Sequence, residues 1–165
     1  MNNFKIGGIS IGLNNRPLII AEMSGNHNQS LDNAFAIIDA AAESGVNAIK
    51  IQTYTADTIS MKEVFKIEEK NSLWYGKDLY DLYDEAHTPW DWHEAIFDRA
   101  KSKGIICFSS PFDESAVDLL ESLGNPIYKI ASFDLVNLPL IRAVASTGKP
   151  MIISTGMAYL SEIEE

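Results

Sequence analysis

Cysteine is almost absent from this sequence of 165 residues, which contains only Cys107. A single thiol cannot form an internal disulfide, and no Cys or His pair has the spacing of a zinc site. A disulfide scaffold and a zinc module are therefore excluded. The amino terminus lacks the apolar core of a secretory signal, and no apolar run approaches the roughly 20 residues that span a bilayer. We expect a protein of the cytoplasm, where thiols stay reduced.

Basic residues are also scarce. The 13 Lys and Arg residues are outnumbered by 23 Asp and Glu residues, which gives a net charge of -10, and no basic block occurs. Binding to nucleic acid or to an anionic membrane requires clustered Lys and Arg that replace counterions, so neither partner is expected. The hydrophobic fraction of 46% is sufficient for a folded core and excludes a disordered chain.

The sequence has neither of the phosphate-binding motifs typical of open α/β sheets, because no GxGxxG follows the first predicted strand and no P-loop occurs. Short apolar strands nevertheless alternate with amphipathic helices, as in parallel sheets. The predicted strands are residues 18–22, 48–53, 105–110, 127–132 and 151–155. Helices are predicted to begin at four capping residues and to end at four glycines: Ser30, Thr88, Asp113 and Asn137, then Gly45, Gly104, Gly124 and Gly148.

This alternation predicts an α/β fold, the amino-terminal portion of a (β/α)8 TIM barrel with about five strands in residues 17–165. A doubly wound open sheet is the alternative. Ser161 and Glu164 form a capping box that predicts a last helix, and only one residue follows it. We therefore expect the second half of the barrel to lie outside this sequence.

Residues 1–16 predict a short β-hairpin, because two apolar triplets flank Gly7 and Gly8. We expect this hairpin to close the amino-terminal end of the barrel. Residues 54–87 are a second unusual segment, since they are too long for an ordinary connection. The segment is rich in large apolar and aromatic residues, which favours a folded pocket wall or partner surface over disorder: Leu73, Trp74, Tyr75, Leu79, Tyr80, Leu82 and Tyr83.

Polar side chains occupy the carboxyl ends of the predicted strands, where barrels carry their chemistry. Two lysines on separate buried strands would concentrate positive potential in an acidic protein, which suits a small, multiply charged anion. An ion pair between Glu22 and one of these lysines is the structural alternative. In chain order the polar residues are Glu22, Lys50, Gln52, Ser109, Ser110, Lys129, Ser132, Ser154 and Thr155.

Side-chain parity adds a constraint on the fourth strand. Ser132 lies three positions after Lys129, so a regular strand would point the two to opposite faces. We expect one of them to lie where the strand breaks into its loop. His87 and His93 lack a metal-binding spacing and are expected to be structural, and Cys107 is expected to be a buried, inert thiol.

Several motifs together resemble the amino-terminal half of the sialic acid synthase family, from about residue 17 to the last position. In chain order they are IIAEMSGNHNQSLDNA, IKIQTYTADT, SLWYGKDLYDLYDEAHTPWDWH, FSSPFD, YKIAS and KPMIISTGM. The resemblance implies an enzyme that condenses phosphoenolpyruvate with the open-chain aldehyde of an N-acetylated hexose. The products would be phosphate and a sialic-acid-like 2-keto sugar acid.

The resemblance also implies roles for individual residues. It implies catalytic roles for Glu22, Lys50 and Lys129. Substrate binding is implied for Asn26, His27, Gln52, Ser110, Ser132 and Ser154. From the residues alone, His27 remains ambiguous between a scaffold residue and a substrate contact.

A divalent metal, Mn or Mg, is implied as the cofactor, with ligands beyond residue 165 and none among the three histidines of this chain. The family further implies a homodimer and a carboxy-terminal antifreeze-like domain, which this sequence does not include. We therefore expect the chain alone to be inactive.

Within the family, the QTYTADT and EAHTPW motifs favour the branch whose sugar is 2,4-diacetamido-2,4,6-trideoxy-L-altrose. Branches that make N-acetylneuraminate or legionaminate are the alternatives. Outside the family, two readings of the polar strand ends stay open. One is a Schiff-base aldolase with Lys50 or Lys129 as the nucleophile, and the other is a non-catalytic fragment that binds an anion.

Overall fold

The computed structural model describes residues 4–164, and residues 1–3 and 165 of the two predicted domains lie outside that range. The strands are β1 (Phe4–Ile6), β2 (Ile9–Ile11), β3 (Ile20–Glu22), β4 (Ala48–Thr53), β5 (Ile106–Pro111), β6 (Tyr128–Ile130) and β7 (Met151–Ile153). The helices are α1 (Leu31–Glu43), α2 (Ala56–Ile59), α3 (Leu79–Ala86), α4 (His93–Ser102), α5 (Glu114–Ser122), α6 (Leu138–Ser146) and α7 (Leu160–Glu164). Two 3₁₀ turns are Trp90–Trp92 and Ser132–Asp134.

The main sheet has five parallel strands in the order β3-β4-β5-β6-β7. Each strand pairs with the next one along the chain, so every crossover advances in the same direction. A doubly wound sheet would reverse its strand order part-way, and this sheet does not. The strands form a curled half-barrel, which confirms the predicted fold class.

The outer face of the sheet is covered by helices. Ile49 and Ile51 of β4 pack there with Ile38 of α1 and with Ile96 and Ala100 of α4, all buried. The helix starts follow the capping pattern of the sequence, because Ser30, Asp113 and Asn137 each accept a hydrogen bond from a backbone N–H of the helix that follows. Alternation along β4 therefore directs Lys50 and Gln52 to the opposite, inner face.

Apolar residues occupy the inner face of the sheet at the amino-terminal end of the strands, and the hairpin covers them. Strands β1 and β2 pair antiparallel, and Ile6 is buried against Ala48, Phe108 and Ile127. Gly7 approaches β5 so closely, with φ of +52°, that a Cβ atom there would lie 2.5 Å from Ile106 Cδ1. The predicted hairpin at the amino-terminal end of the barrel is confirmed.

The long segment after β4 is folded, as expected, but its aromatic residues divide into two groups. Tyr54 is buried, and its ring contacts the rings of Tyr83 and Phe112 edge-to-face, with centroids 5.9 and 5.3 Å away. Leu73 is 93% exposed, and Trp74 and Tyr75 are also exposed. Of the residues on which the sequence argument relied, Leu79, Tyr80, Leu82 and Tyr83 are only partly buried, so they contribute less burial than that argument assumed.

Two predicted helix starts were wrong. Thr88 does not cap a helix, because Pro89 precedes the 3₁₀ turn, α4 begins at His93, and the Thr88 hydroxyl bonds to His27 instead. The last helix begins at Leu160, before Ser161, and Glu162 rather than Glu164 accepts the N–H of Tyr159 at 2.7 Å. Several strands are also shorter than predicted. Within residues 4–164, no helix is long and apolar enough to cross a membrane.

Candidate active site

Glu22 and Lys50 form a charged pair in the site. They are register neighbours on β3 and β4, and Lys50 Nζ lies 2.5 Å from Glu22 Oε2. The Lys50 side chain is 15% exposed and the Glu22 side chain 43%, so the carboxylate remains reachable from the open side. The ion pair that the sequence left as an alternative is present. The ion pair compensates the charge of the buried lysine, and both residues can still contact a ligand.

Lys129 of β6 is the second cation. Its Nζ donates a hydrogen bond to the carbonyl of Ile130 at 2.6 Å. Burial lowers the pKa of Lys129, and the Lys50 charge lowers it further, while Glu22 and Asp134 oppose the shift. Two lysines close enough for one charge to lower the pKa of the other create a positive potential, which a bound anion would neutralise.

Gln52 and Ser110 lie one step further toward the carboxyl ends of the strands. They are register neighbours on β4 and β5, on the same face as Lys50. Ser110 is almost fully buried, and Gln52 Oε1 accepts a hydrogen bond from Ser24 Oγ at 3.3 Å. These two residues therefore add neutral hydrogen-bond donors and acceptors next to the charged pair of Glu22 and Lys50.

Ser132 and Ser154 follow β6 and β7. Strand β6 ends at Ile130, and Ser132 begins the 3₁₀ turn, so the expected break in the strand between Lys129 and Ser132 is confirmed. The backbone N–H of Ser154 donates to Ile130 O at 3.1 Å. A Cβ atom on Gly156 would lie 3.5 Å from Ser132 Oγ, which brings the loop after β7 against this hydroxyl.

Asn26 and His27 lie on the loop after β3, where Asn26 is exposed and His27 is buried. The Asn26 amide donates to Met23 O at 2.8 Å. His27 is fully buried; its Nδ1 accepts the Gln29 N–H, so its Nε2 is the nitrogen that donates to Thr88 Oγ1 at 3.1 Å. Burial lowers the pKa of His27, with a smaller effect from His87. His27 thus supports the loop in this structure, and its contact with a substrate stays a prediction.

The expected structural roles of His93 and Cys107 agree with their surroundings. His93 is fully buried, its Nδ1 donates to Pro89 O at 3.1 Å, and its Nε2 accepts the Thr53 hydroxyl at 2.9 Å. Burial raises the pKa of the Cys107 thiol above its usual range. The Thr53 hydroxyl that bonds to His93 also bonds to Ser109 Oγ at 2.6 Å, so the strand-end residue Ser109 takes part in this buried network.

Asp134 is a candidate that sequence reasoning missed. It lies in the 3₁₀ turn after β6, it is 7% exposed, and its Oδ2 is buried with no hydrogen-bond partner among residues 4–164. Burial raises the pKa of Asp134, while Asn137 and Lys129 lower it. The available signal was an acidic residue two positions after Ser132, in a stretch where the strand was expected to end.

Within residues 4–164, no group of three or more His, Cys, Asp or Glu side chains comes together as a metal site. These residues alone therefore do not supply a full ligand set for a divalent metal. A surface cavity of about 420 Å³ lies at the opposite end of the strands, next to Gly104 and Gly124, and none of the polar strand-end residues lines it.

The fold and this cluster define the class: a portion of a (β/α)8 barrel with lysines and hydroxyl groups at the carboxyl ends of its strands. A model of the NeuB family matches residues 37–165. The chain belongs to the NeuB family.

Individual relatives agree. The pseudaminic acid synthase of Helicobacter pylori is 45% identical over 152 residues, which are 90% of this chain and 44% of that protein. The N,N'-diacetyllegionaminic acid synthase of Legionella pneumophila is 39% identical over 164 residues, or 98% of this chain and 46% of that protein. The chain thus spans less than half the length of these curated relatives.

Among solved structures, the fold is similar to that of N-acetylneuraminic acid synthetase from Leptospira borgpetersenii in complex with citrate. The TM-score is 0.83 at 35% identity, and the match covers 99% of this chain and 53% of that one. The sequence resemblance to the sialic acid synthase family is confirmed.

Proposed function

We propose that the protein containing this chain condenses phosphoenolpyruvate with an N-acetylated amino sugar and releases phosphate, as a pseudaminic acid synthase. The observation that carries the proposal is the pair of lysines at one end of the half-barrel, surrounded by hydroxyl groups. Membership of a family whose relatives are named as sialic-acid-type synthases supports it. A similar solved structure is in complex with citrate, which is also a multiply charged anion, and this supports anion binding by the complete protein.

The chemistry matches the groups available. Phosphoenolpyruvate carries a carboxylate and a phosphate, which Lys50 and Lys129 would bind as charge-assisted partners. The hydroxyls that complete its binding are those of Ser110, Ser132 and Ser154. In the reaction, C3 of phosphoenolpyruvate bonds to the aldehyde carbon, whose oxygen takes a proton. Water then adds at C2 and loses a proton, and phosphate leaves as the keto group forms.

The other side of the site is assigned to the sugar. The Glu22 carboxylate reaches the open side of the half-barrel, and Gln52 lies on the same inner face. A carboxylate in this position can accept a hydrogen bond from a sugar hydroxyl and exchange a proton with the aldehyde oxygen. We assign Glu22 to this role.

The sugar itself is proposed to be 2,4-diacetamido-2,4,6-trideoxy-L-altrose. Identity to the pseudaminic acid synthase of Helicobacter pylori, at 45%, exceeds identity to the legionaminic acid synthase of Legionella pneumophila, at 39%. N-acetylneuraminate and legionaminate synthesis are the alternatives within the family.

A divalent metal, Mn or Mg, is proposed as cofactor, with ligands supplied by parts of the protein outside this chain. When bound, it would polarise the sugar aldehyde. We further propose that the complete protein is a homodimer, as the family resemblance implies. We also propose that the isolated chain is inactive, because it spans 44% of its pseudaminic acid synthase relative and no metal-ligand cluster forms within residues 4–164.

Phosphate release tests the proposal. We expect the complete protein to release phosphate from phosphoenolpyruvate in the presence of manganese and the altrose sugar, and to stop when EDTA is added. The isolated chain should release none. Release with N-acetylmannosamine alone would reassign the branch, and no release with either sugar would contradict the synthase proposal.

A Schiff-base aldolase is the second candidate, because burial and the Lys50 charge lower the pKa of Lys129 toward the range of nucleophilic lysines. Borohydride reduction in the presence of pyruvate distinguishes the two. A mass increase on Lys50 or Lys129 would favour the aldolase, and the synthase proposal expects none.

Asp134→Asn tests the electrostatic support of Lys129. Loss of the negative charge should lower the pKa of Lys129 further, so the alkaline limb of kcat/KM for phosphoenolpyruvate should move to lower pH. We expect kcat/KM on that limb to be lower in Asp134→Asn than in the parent protein at the same pH, because Asp134 raises the pKa of Lys129. The matched control is Asp118→Asn on the exposed face of α5. If the alkaline limb of kcat/KM is unchanged in Asp134→Asn, Asp134 does not support the charge of Lys129.

A further inference from the structure

The loop after β3, residues 23–29, has an unusual backbone. Ser24, Asn28 and Gln29 adopt left-handed φ angles of 51°, 53° and 54°, although none of them is glycine. Such conformations are costly and persist only where surrounding contacts hold them. Three of them within six residues require an explanation outside the loop itself.

The contacts that hold this loop come from the end of α3. Gln29 Nε2 donates to two carbonyl oxygens there, Glu85 O at 2.9 Å and His87 O at 2.6 Å. The last carbonyls of a helix have no partner within the helix, so Gln29 supplies one from a distant part of the chain. The loop also presses directly on this helix end, because a Cβ atom on Gly25 would lie 2.8 Å from Ala86 O.

The same loop is continuous with the sugar side of the candidate site. Glu22 immediately precedes it, and Ser24 Oγ donates to Gln52 Oε1 at 3.3 Å. Asn26 is held by its bond to Met23 O. By contrast, Lys129 lies in β6, and Ser132 and Ser154 follow β6 and β7, which are three and four strands from β3 in the sheet.

We propose that Gln29 is a positioning residue for the sugar. Its two hydrogen bonds fix the loop of residues 23–29 on the end of α3 and so hold Glu22 and Gln52 in place. The long segment 54–87 thereby acts first on the sugar side of the reaction and reaches phosphoenolpyruvate only through the ion pair of Glu22 with Lys50. The inference rests on the proposed synthase function for its kinetic part.

Two variants of Gln29 separate its donor function from its shape. Gln29→Glu keeps the shape but removes both donor hydrogens and directs a carboxylate at two carbonyls. Gln29→Lys keeps a donor group that can reach both oxygens. Asn28→Asp is the matched control, because it introduces the same charge at the neighbouring exposed position, whose side chain makes no hydrogen bond within residues 4–164.

The variants are compared in the complete protein by steady-state kinetics and by hydrogen exchange. For Gln29→Glu we expect the sugar KM to rise about tenfold, as for the loss of one or two hydrogen bonds, with a clearly smaller rise in the phosphoenolpyruvate KM. Backbone exchange in residues 23–30 and at the end of α3 should accelerate about tenfold, with other segments unaffected. Gln29→Lys should stay within about threefold of the parent protein in both measurements, and Asn28→Asp should match it.

Three results would overturn the proposal. Unchanged exchange in residues 23–30 of Gln29→Glu would show that Gln29 does not hold the loop. Equal increases in both KM values, or faster exchange throughout the protein, would indicate a general structural role. If the parent protein turns over no sugar, the synthase function and the sugar role fall together, and the exchange data alone then decide whether Gln29 fixes the loop.

Discussion

Replacing Lys50 with methionine should reduce kcat/KM for phosphoenolpyruvate by about 10³-fold in the complete protein. The substitution removes one of two cations at the carboxyl ends of the strands. It also leaves Glu22 Oε2, now 2.5 Å from Lys50 Nζ, without its counter-ion in the place where an anionic substrate must bind. Calorimetric titration with phosphoenolpyruvate and steady-state kinetics both measure the effect.

Lys149→Met is the matched control for this prediction. Lys149 also forms a lysine–glutamate pair, with Glu121 Oε1 at 2.6 Å, but this pair joins α5 to the turn before β7 on the outside of the sheet. Its loss should leave kcat/KM within about twofold, because exposed pairs contribute little. Equal affinity of Lys50→Met and the parent protein for phosphoenolpyruvate would contradict the assignment of Lys50 to the phosphoenolpyruvate site.

The second large effect is expected in the dependence of stability on pH. Burial lowers the pKa of His93 to about 4, from an ordinary value of 6.5. The hydrogen bond to Pro89 and the Asp91 charge oppose this shift, and His87 adds to it. Between these two values the unfolded chain binds a proton that the folded protein does not. Stability is therefore fully present above pH 6.5 and decreases as the pH falls toward 4.

The shift corresponds to about 3 kcal/mol of unfolding free energy. We expect His93→Gln to remove most of this loss, so that its unfolding free energy changes less between pH 7 and pH 4.5 than that of the parent. Urea titrations at a series of pH values measure the difference. His87→Gln, on the partly exposed cap of α3, should retain nearly all of the pH dependence. A parallel decline in His93→Gln and the parent protein would contradict the prediction.

Local sequence patterns predicted much of the architecture. The run 48–53 predicted β4 to the residue, and Ser30, Asp113 and Asn137 begin helices as their short polar side chains indicate. The hairpin followed from Gly7 and Gly8, which tolerate positive φ. These features depend on interactions between residues close in the chain, so they are readable without the fold.

One of the two failed helix starts involves a contact between distant residues. Thr88 has the side chain of a helix cap, but its hydroxyl bonds to His27, 61 positions away. The start of α7 was misjudged for a local reason, because Glu162 rather than Glu164 accepts the N–H of Tyr159, three positions earlier. Local propensity is a weak prior wherever tertiary contacts compete for the same group.

For the candidate site, the sequence by itself determined which chemical groups stand at the strand ends: two lysines, a glutamate, a glutamine and several serines. Alternation along each strand fixed which of them share a face, because that depends only on residue parity. Only the tertiary structure decided how they combine. Pairing of Glu22 with Lys50, burial of His27 and Asp134, and the bridge from Gln29 to the end of α3 all depend on the packing of segments far apart in the chain.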